Sequence, residues 1–378
     1  MTAPHVKPEL IRWARERAGF EPAQLSRRFP SLARWERGER RPSAKSVQRF
    51  ARAMHVSVEA LYLAQPPVER LPIPDLRASE NPRRGRLSPD LIEIVDVCRG
   101  RQAWYREFVR ATEGREPSFE HALKPDEAGT AAAIREALGL TLESQRKPPT
   151  WVDALRKLTE RVEALGILVM SSSVVLNDNR RRLRPEEFRG FTLADPVAPL
   201  VFVNASQTKA EQMFTLAHQL VHAWFGQSGV CDAQVAVAAR DTKEAACDRI
   251  AGGILVPLEA LRAELRPDAE LRDQVVRLTR RFKVSPAVIL RRMHDAETLD
   301  AEDLAREVEE ENERQRARPK GKGGNFYLSL GVRVSKRFAR ALVASAADGR
   351  ASPDEALRLL GLRRVETLRG FGQRLGVT

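Results

Sequence analysis

Residues 214–226, FTLAHQLVHAWFG, carry two histidines four positions apart. On an α-helix that spacing puts the imidazoles of His218 and His222 on one face about one turn apart, which makes a metal-chelating pair. In the H-E-x-x-H pattern of metallopeptidases, the residue after the first histidine is a glutamate that takes a proton from the metal-bound water. Here that residue is Gln219. An amide has no useful basicity near neutral pH, so Gln219 can orient a water but not deprotonate it. An H-x-x-x-H spacing alone is short enough to be incidental. The apolar flanks TLAH and VHAWF argue for a site, because a buried neutral histidine pair without a metal leaves ring nitrogens to satisfy.

A zinc site with an open catalytic position needs three protein ligands, often two His and one Glu. TKEAACDRIAGGILVP, 242–257, reads as the next helix, ended by Pro257. Glu244 opens it as the candidate third ligand and Asp248 lies one turn further along. Glu-x-x-x-Asp resembles the second helix of the gluzincin group, in which the Glu binds zinc and the Asp steadies a histidine from outside the ligand set. Cys247 is close enough in sequence to approach the metal, although a small buried thiol is the simpler reading. Upstream, GILVMSSSVV reads as a strand and FRGFTLADPVAPLVFVNAS, 188–206, as two short strands around Asp195-Pro196. Ser206 is the expected cap of the histidine helix. An edge strand beside that helix would let a peptide add itself by main-chain pairing.

The length of 378 residues suggests two or three domains. The balance of 64 Lys+Arg against 51 Asp+Glu gives +13, which suits a polyanionic neighbour or basic residues spread over solvated faces. Cys98, Cys231 and Cys247 form no C-x-x-C pair, so neither a disulfide framework nor a zinc ribbon is indicated. No apolar run of about 18 residues appears, so no membrane is expected and the cytoplasm is the expected compartment.

Residues 1–64 read as short helices, with Ser43 and Ser57 placed as N-caps. With WERGERRPS after the third, they resemble the Xre and phage-repressor helix-turn-helix. LSRRFPSLARW, 25–35, is short for that motif, and Pro30 lets the recognition helix start no earlier. Arg27, Arg28, Arg34 and Arg37 are candidate DNA phosphate contacts; the alternative is a helical module for dimerisation or for docking a protein. A Pro-rich strap and basic linker follow over 65–90, with four prolines in QPPVERLPIPDLR. The metallopeptidase-like domain spans 91–318, PKGKGGN at 319–325 is a flexible linker, and 326–378 form a helical cap read as two helices around ADGRAS. Within these spans the Arg180–Arg184 cluster reads as a solvated turn, and Tyr327 and His294 read as packing or satisfied residues.

FRGFTLAD, APLVFVNAS, FTLAHQLVHAWFG and EAACDRIAGGILVP follow one another in the order and spacing of the ImmA/IrrE family of bacterial metallo-endopeptidases, and the whole chain resembles its variant with an N-terminal Xre-type domain. The resemblance implies a mainly α protein with a small α+β zincin-like (gluzincin-type) metallopeptidase domain, an N-terminal HTH-like domain and a C-terminal helical cap. It further implies Zn2+ held by His218, His222 and Glu244, and a protein substrate, a transcriptional repressor, in a stress or mobile-element response. DNA and a second copy of the chain in a homodimer are the other expected partners. The family's catalytic Glu falls on Gln219. An endopeptidase silenced at that position, by engineering or in nature, and a DNA-binding regulator with a non-catalytic zinc domain used as sensor or scaffold are the two expected functions. The intact remainder of the motif leans toward the engineered history.

Overall fold

A computed structural model describes residues 5–77, 87–113, 126–231, 243–316 and 326–377. Two compact units emerge, one of residues 1–72 and 83–96, the other of residues 73–82 and 97–378. The linker expected at residues 319–325 lies outside the described residues, as does the side chain of Tyr327.

The first unit is built from helices α1 (Pro8–Arg17), α2 (Pro22–Leu25), α3 (Leu32–Glu36) and α4 (Ala44–Met54), followed by a 3₁₀ turn at Glu59–Tyr62. Ser43 caps α4 by accepting from the backbone N–H of Ser46, and Ser57 accepts from Ala60 N–H. Leu10, Ile11, Phe29, Leu32, Trp35, Phe50 and Met54 form its core, with Phe29 and Phe50 edge to face at 5.4 Å. Glu36 is spent inward on Arg15 at 2.6 Å. Arg27, Arg28, Arg34 and Arg37 are all exposed. Arg34 and Arg37 both lean on Glu39, Arg34 at 3.8 Å, and Arg28 lies over the Phe29 ring at 5.6 Å.

The second unit is mainly helical with one small sheet. Its strands are β1 (Leu168–Ser172), β2 (Gly190–Leu193), β3 (Leu200–Asn204) and β4 (Gly229–Cys231), ordered β1-β3-β2-β4. β1 runs parallel to β3, while β2 is antiparallel to both β3 and β4. Every strand residue is buried, as the apolar runs LVM and LVFV require of strands covered on both faces. Alternation sorts the side chains: Val201 and Val203 join the helical core, while Phe191 and Phe202 stack on each other at 4.7 Å.

The histidine helix spans Lys209–Trp224, and all its residues from Gln212 onward are buried. Its cap is Thr208 rather than Ser206. Thr208 accepts from Glu211 N–H while the Glu211 side chain takes the Thr208 N–H, a capping box written in T-K-A-E. Ser206 Oγ instead donates to the Leu183 carbonyl at 2.7 Å.

Beyond the expected pair, the C-terminal segment forms helices at Phe326–Val334, Lys336–Ala347, Pro353–Leu360 and Val365–Leu375. Glu163, at the end of helix Trp151–Ala164, anchors this segment by accepting from Ser335 Oγ and from the N–H groups that open the helix at Lys336. Burial raises its carboxyl above the ordinary value despite these donors. Glu163→Ala leaves the donors unsatisfied, and a denaturant titration is expected to show a loss of about 2 kcal/mol.

Candidate metal centre

The sheet places the histidine helix through small residues. Gly190 and Thr192 of β2 face it, and a Cβ at Gly190 would lie 2.7 Å from the Phe202 carbonyl, 2.9 Å from Thr215 Cγ2 and 3.1 Å from Gln219 Cγ. Only a hydrogen there lets the helix settle at Gln219. Thr192 Oγ1 lies 2.8 Å from Gln219 Oε1 and 3.0 Å from the Gln219 carbonyl. Gln219 is fully buried, and its Nε2 has no hydrogen-bond partner among the described residues.

His218, directly before Gln219, and His222, one turn after His218, project from this helix, and the helix Lys243–Leu255 brings up Glu244. His218 Nε2 lies 3.0 Å from His222 Nε2. The Glu244 carboxylate lies 3.4 Å from each of these nitrogens, Oε2 toward His218 and Oε1 toward His222. Asp248 accepts from His218 Nδ1–H at 2.8 Å, which fixes the tautomer and turns the lone pair of Nε2 toward the cluster. The residues read from the sequence therefore come together with Asp248 in its supporting position.

One neighbour was missed. Cys231, the last residue of β4, sets its Sγ 3.3 Å from His222 Nε2. His218, His222, Cys231 and Glu244 are all buried and offer donor atoms within 4.8 Å of one another, a group that could hold a metal. Cys247 is also buried and interacts with His222, but it lies outside this donor group.

The electrostatics ask for a cation. Burial disfavours charge on both imidazoles, yet Asp248, Cys231 and Glu244 pull His218 well above its ordinary value, and Cys231, Cys247 and Glu244 do the same for His222. Burial opposes the ionised Glu244, but the two histidines hold its carboxyl far below the usual range. The Cys231 thiol, which burial would raise, is lowered by His222 and His218. Anionic donors packed against nitrogen lone pairs suit a divalent ion in their midst. Geometry agrees. Tetrahedral zinc with bonds of about 2.0–2.1 Å to N and O and about 2.3 Å to S separates its ligand atoms by roughly 3.3 to 3.6 Å. The His–His, His–Glu and His222–Cys231 distances run from 3.0 to 3.4 Å, and the widest separation in the group is at most 4.8 Å.

Residues 162–294 match the IrrE N-terminal-like domain of the peptidase M78 family. This IrrE-like segment covers about a third of the chain and contains all four strands, the histidine helix and the helix of Glu244. A second match, over residues 334–374, is to a domain of unknown function. No curated protein matches the chain. No helix among the described residues is long and apolar enough to cross a membrane.

The sheet edge beside β4 is not free in this IrrE-like segment. Residues 74–76 lie along β4 in parallel, with Leu76 N–H donating to the Val230 carbonyl and Val230 N–H to the Pro74 carbonyl, each at 3.0 Å. Arg77 fastens the strap, bonding Asp75 at 2.7 Å and the Glu187 carbonyl at 2.9 Å. Leu76 packs directly over Gly229, where a Cβ would come within 2.4 Å of its Cδ1. Gly229→Leu is therefore expected to eject Leu76 and expose residues 70–77 to limited proteolysis, which intact-mass analysis of a short digest would detect.

Proposed function

We propose that residues 162–294 form a zinc-holding pseudo-peptidase module of the ImmA/IrrE type, which recognises a regulatory protein without cleaving it. Gln219 carries this reading. It occupies the base position, is fully buried, and has its amide oxygen against Thr192, so the base position itself holds no group that takes a proton near neutral pH. Asp248 is engaged with His218 and Glu244 with both histidines, so neither is free to replace the missing base. His218, His222 and Glu244 would hold zinc, which when bound supplies Lewis acidity and cross-links two helices. The strap along β4 supports the same reading, because it occupies an edge on which an extended peptide could pair.

The test is elemental analysis of the purified chain beside His218→Ala, with a screen of repressor-type proteins for cleavage. The expected result is about one zinc per wild-type chain, little in the variant, and no cleavage by either. Zinc in neither protein, or turnover by the wild type, overturns the proposal.

A DNA-binding role for the first unit is the second reading, favoured by exposed Arg27 and Arg28, which have no carboxylate partner among the described residues. On this reading the zinc module is the scaffold or sensor of a transcription regulator. Duplex binding is expected to weaken linearly in log salt, and alanine at both positions to reduce that slope by about 2. An unchanged slope removes these residues from the interface.

A further inference from the structure

Resting on the metal-holding reading, we infer that Cys231 is a fourth protein ligand and that the site is a closed tetrahedral His₂CysGlu centre with no position left for water or substrate. Three observations converge on this. Cys231 Sγ sits at ligand-to-ligand distance from His222 Nε2, 3.3 Å, where a tetrahedron around zinc requires roughly 3.6 Å between N and S. All four residues are buried, Glu244 being the least so at 5% exposed, and the full donor set spans at most 4.8 Å, so a contraction of about 1 Å at its longest edge completes the coordination.

The position of Cys231 is also held from both sides. It pairs with Gly190 on β2, its carbonyl accepts from Arg189 N–H at 3.3 Å, and its neighbour Val230 is bonded to the strap at 3.0 Å. A thiol on a three-residue strand clamped between β2 and residues 74–76 is aimed by the backbone, and little rotamer freedom is lost when it binds a metal.

Charge supplies the third reason. Two neutral imidazoles and one carboxylate leave a buried divalent ion with a net positive charge, which in a catalytic site falls to the exchangeable fourth ligand. A thiolate at that position brings the ion and its four ligands to zero net charge, and a soft sulfur donor suits zinc. Four protein donors are the mark of structural zinc, and three with an open position the mark of catalytic zinc. The loss of the base at Gln219 and the filling of the open position by Cys231 are then two parts of one conversion, which favours a natural pseudo-peptidase over a single engineered change.

The test is cobalt(II) substitution of the full chain, read by absorption spectroscopy. Wild type is expected to show intense tetrahedral bands in the visible and a thiolate-to-cobalt charge-transfer band in the near ultraviolet. Cys231→Ser should abolish the charge-transfer band and weaken metal affinity by at least about a hundredfold, beyond the 10–100-fold typical of outer-shell losses. Cys231→His should retain cobalt and the tetrahedral bands without the charge-transfer band, which separates loss of a ligand from loss of the fold. Cys247→Ser should leave the charge-transfer band in place. A band that survives in Cys231→Ser, or a wild-type protein that binds cobalt without one, overturns the assignment of Cys231 while leaving the metal-holding reading intact. Failure of the folded wild type to bind cobalt or zinc at all overturns that reading and the assignment with it.

Discussion

Gln219→Glu alone is expected to yield no detectable peptidase activity. In an open three-ligand site, restoring the general base is worth roughly 10²–10⁴ in rate, so a glutamine-silenced peptidase would recover clearly. In a site closed by Cys231 the new carboxylate finds no metal-bound water to deprotonate. It also enters a fully buried position, on the same helix as the histidines that Glu244 and Asp248 already engage, so a loss of thermal stability is expected instead. Removing both obstacles is the informative experiment. Gln219→Glu combined with Cys231→Ala opens a coordination position beside a base, and is expected to exceed either single variant by at least about a hundredfold on any substrate the double variant cleaves. Cleavage of a partner protein by the single variant Gln219→Glu would show instead that only one letter separates this chain from an active endopeptidase.

Metal removal should produce the largest change in stability. Structural zinc contributes binding free energies of roughly 10–16 kcal/mol in small metal-dependent domains, and even a ligand present at 100 times its dissociation constant stabilises by about 2.7 kcal/mol. Without the ion, buried anionic donors and imidazoles face one another at 3.0 to 3.4 Å. The two helices that carry His218, His222 and Glu244 then lose their cross-link. Differential scanning calorimetry with and without a strong chelator is expected to show the transition of the second unit falling by about 10 °C or more. The first unit holds no such donor group among its described residues, so its transition should stay in place. A chelator-insensitive second transition would mean that the cluster is held together by its own hydrogen bonds.

Much of this centre was legible because helices announce themselves by period. Four-residue spacing set His218 over His222 and Glu244 over Asp248, and apolar runs bounded by turn residues marked β1, β2 and β3. β4 was not legible. Gly229-Val230-Cys231 is too short to show alternation, and its strand conformation comes from pairing with β2 on one side and the strap on the other. Cys231 was therefore counted as one of three isolated thiols, although it stands only nine residues beyond His222 in sequence. Proline content gave the extended form of the strap but could not give its partner, because parallel pairing between distant segments leaves no local pattern. The cap at Thr208 differs in kind. Its Thr-x-x-Glu signature was present in the sequence, and Ser206, two residues earlier, was preferred to it.

X-ray absorption at the zinc edge of the purified, unsubstituted chain tests the central claim most directly. A closed His₂CysGlu centre predicts one sulfur at about 2.3 Å and three nitrogen or oxygen neighbours at about 2.0–2.1 Å, with no exchangeable water. A shell of nitrogen and oxygen alone would contradict it.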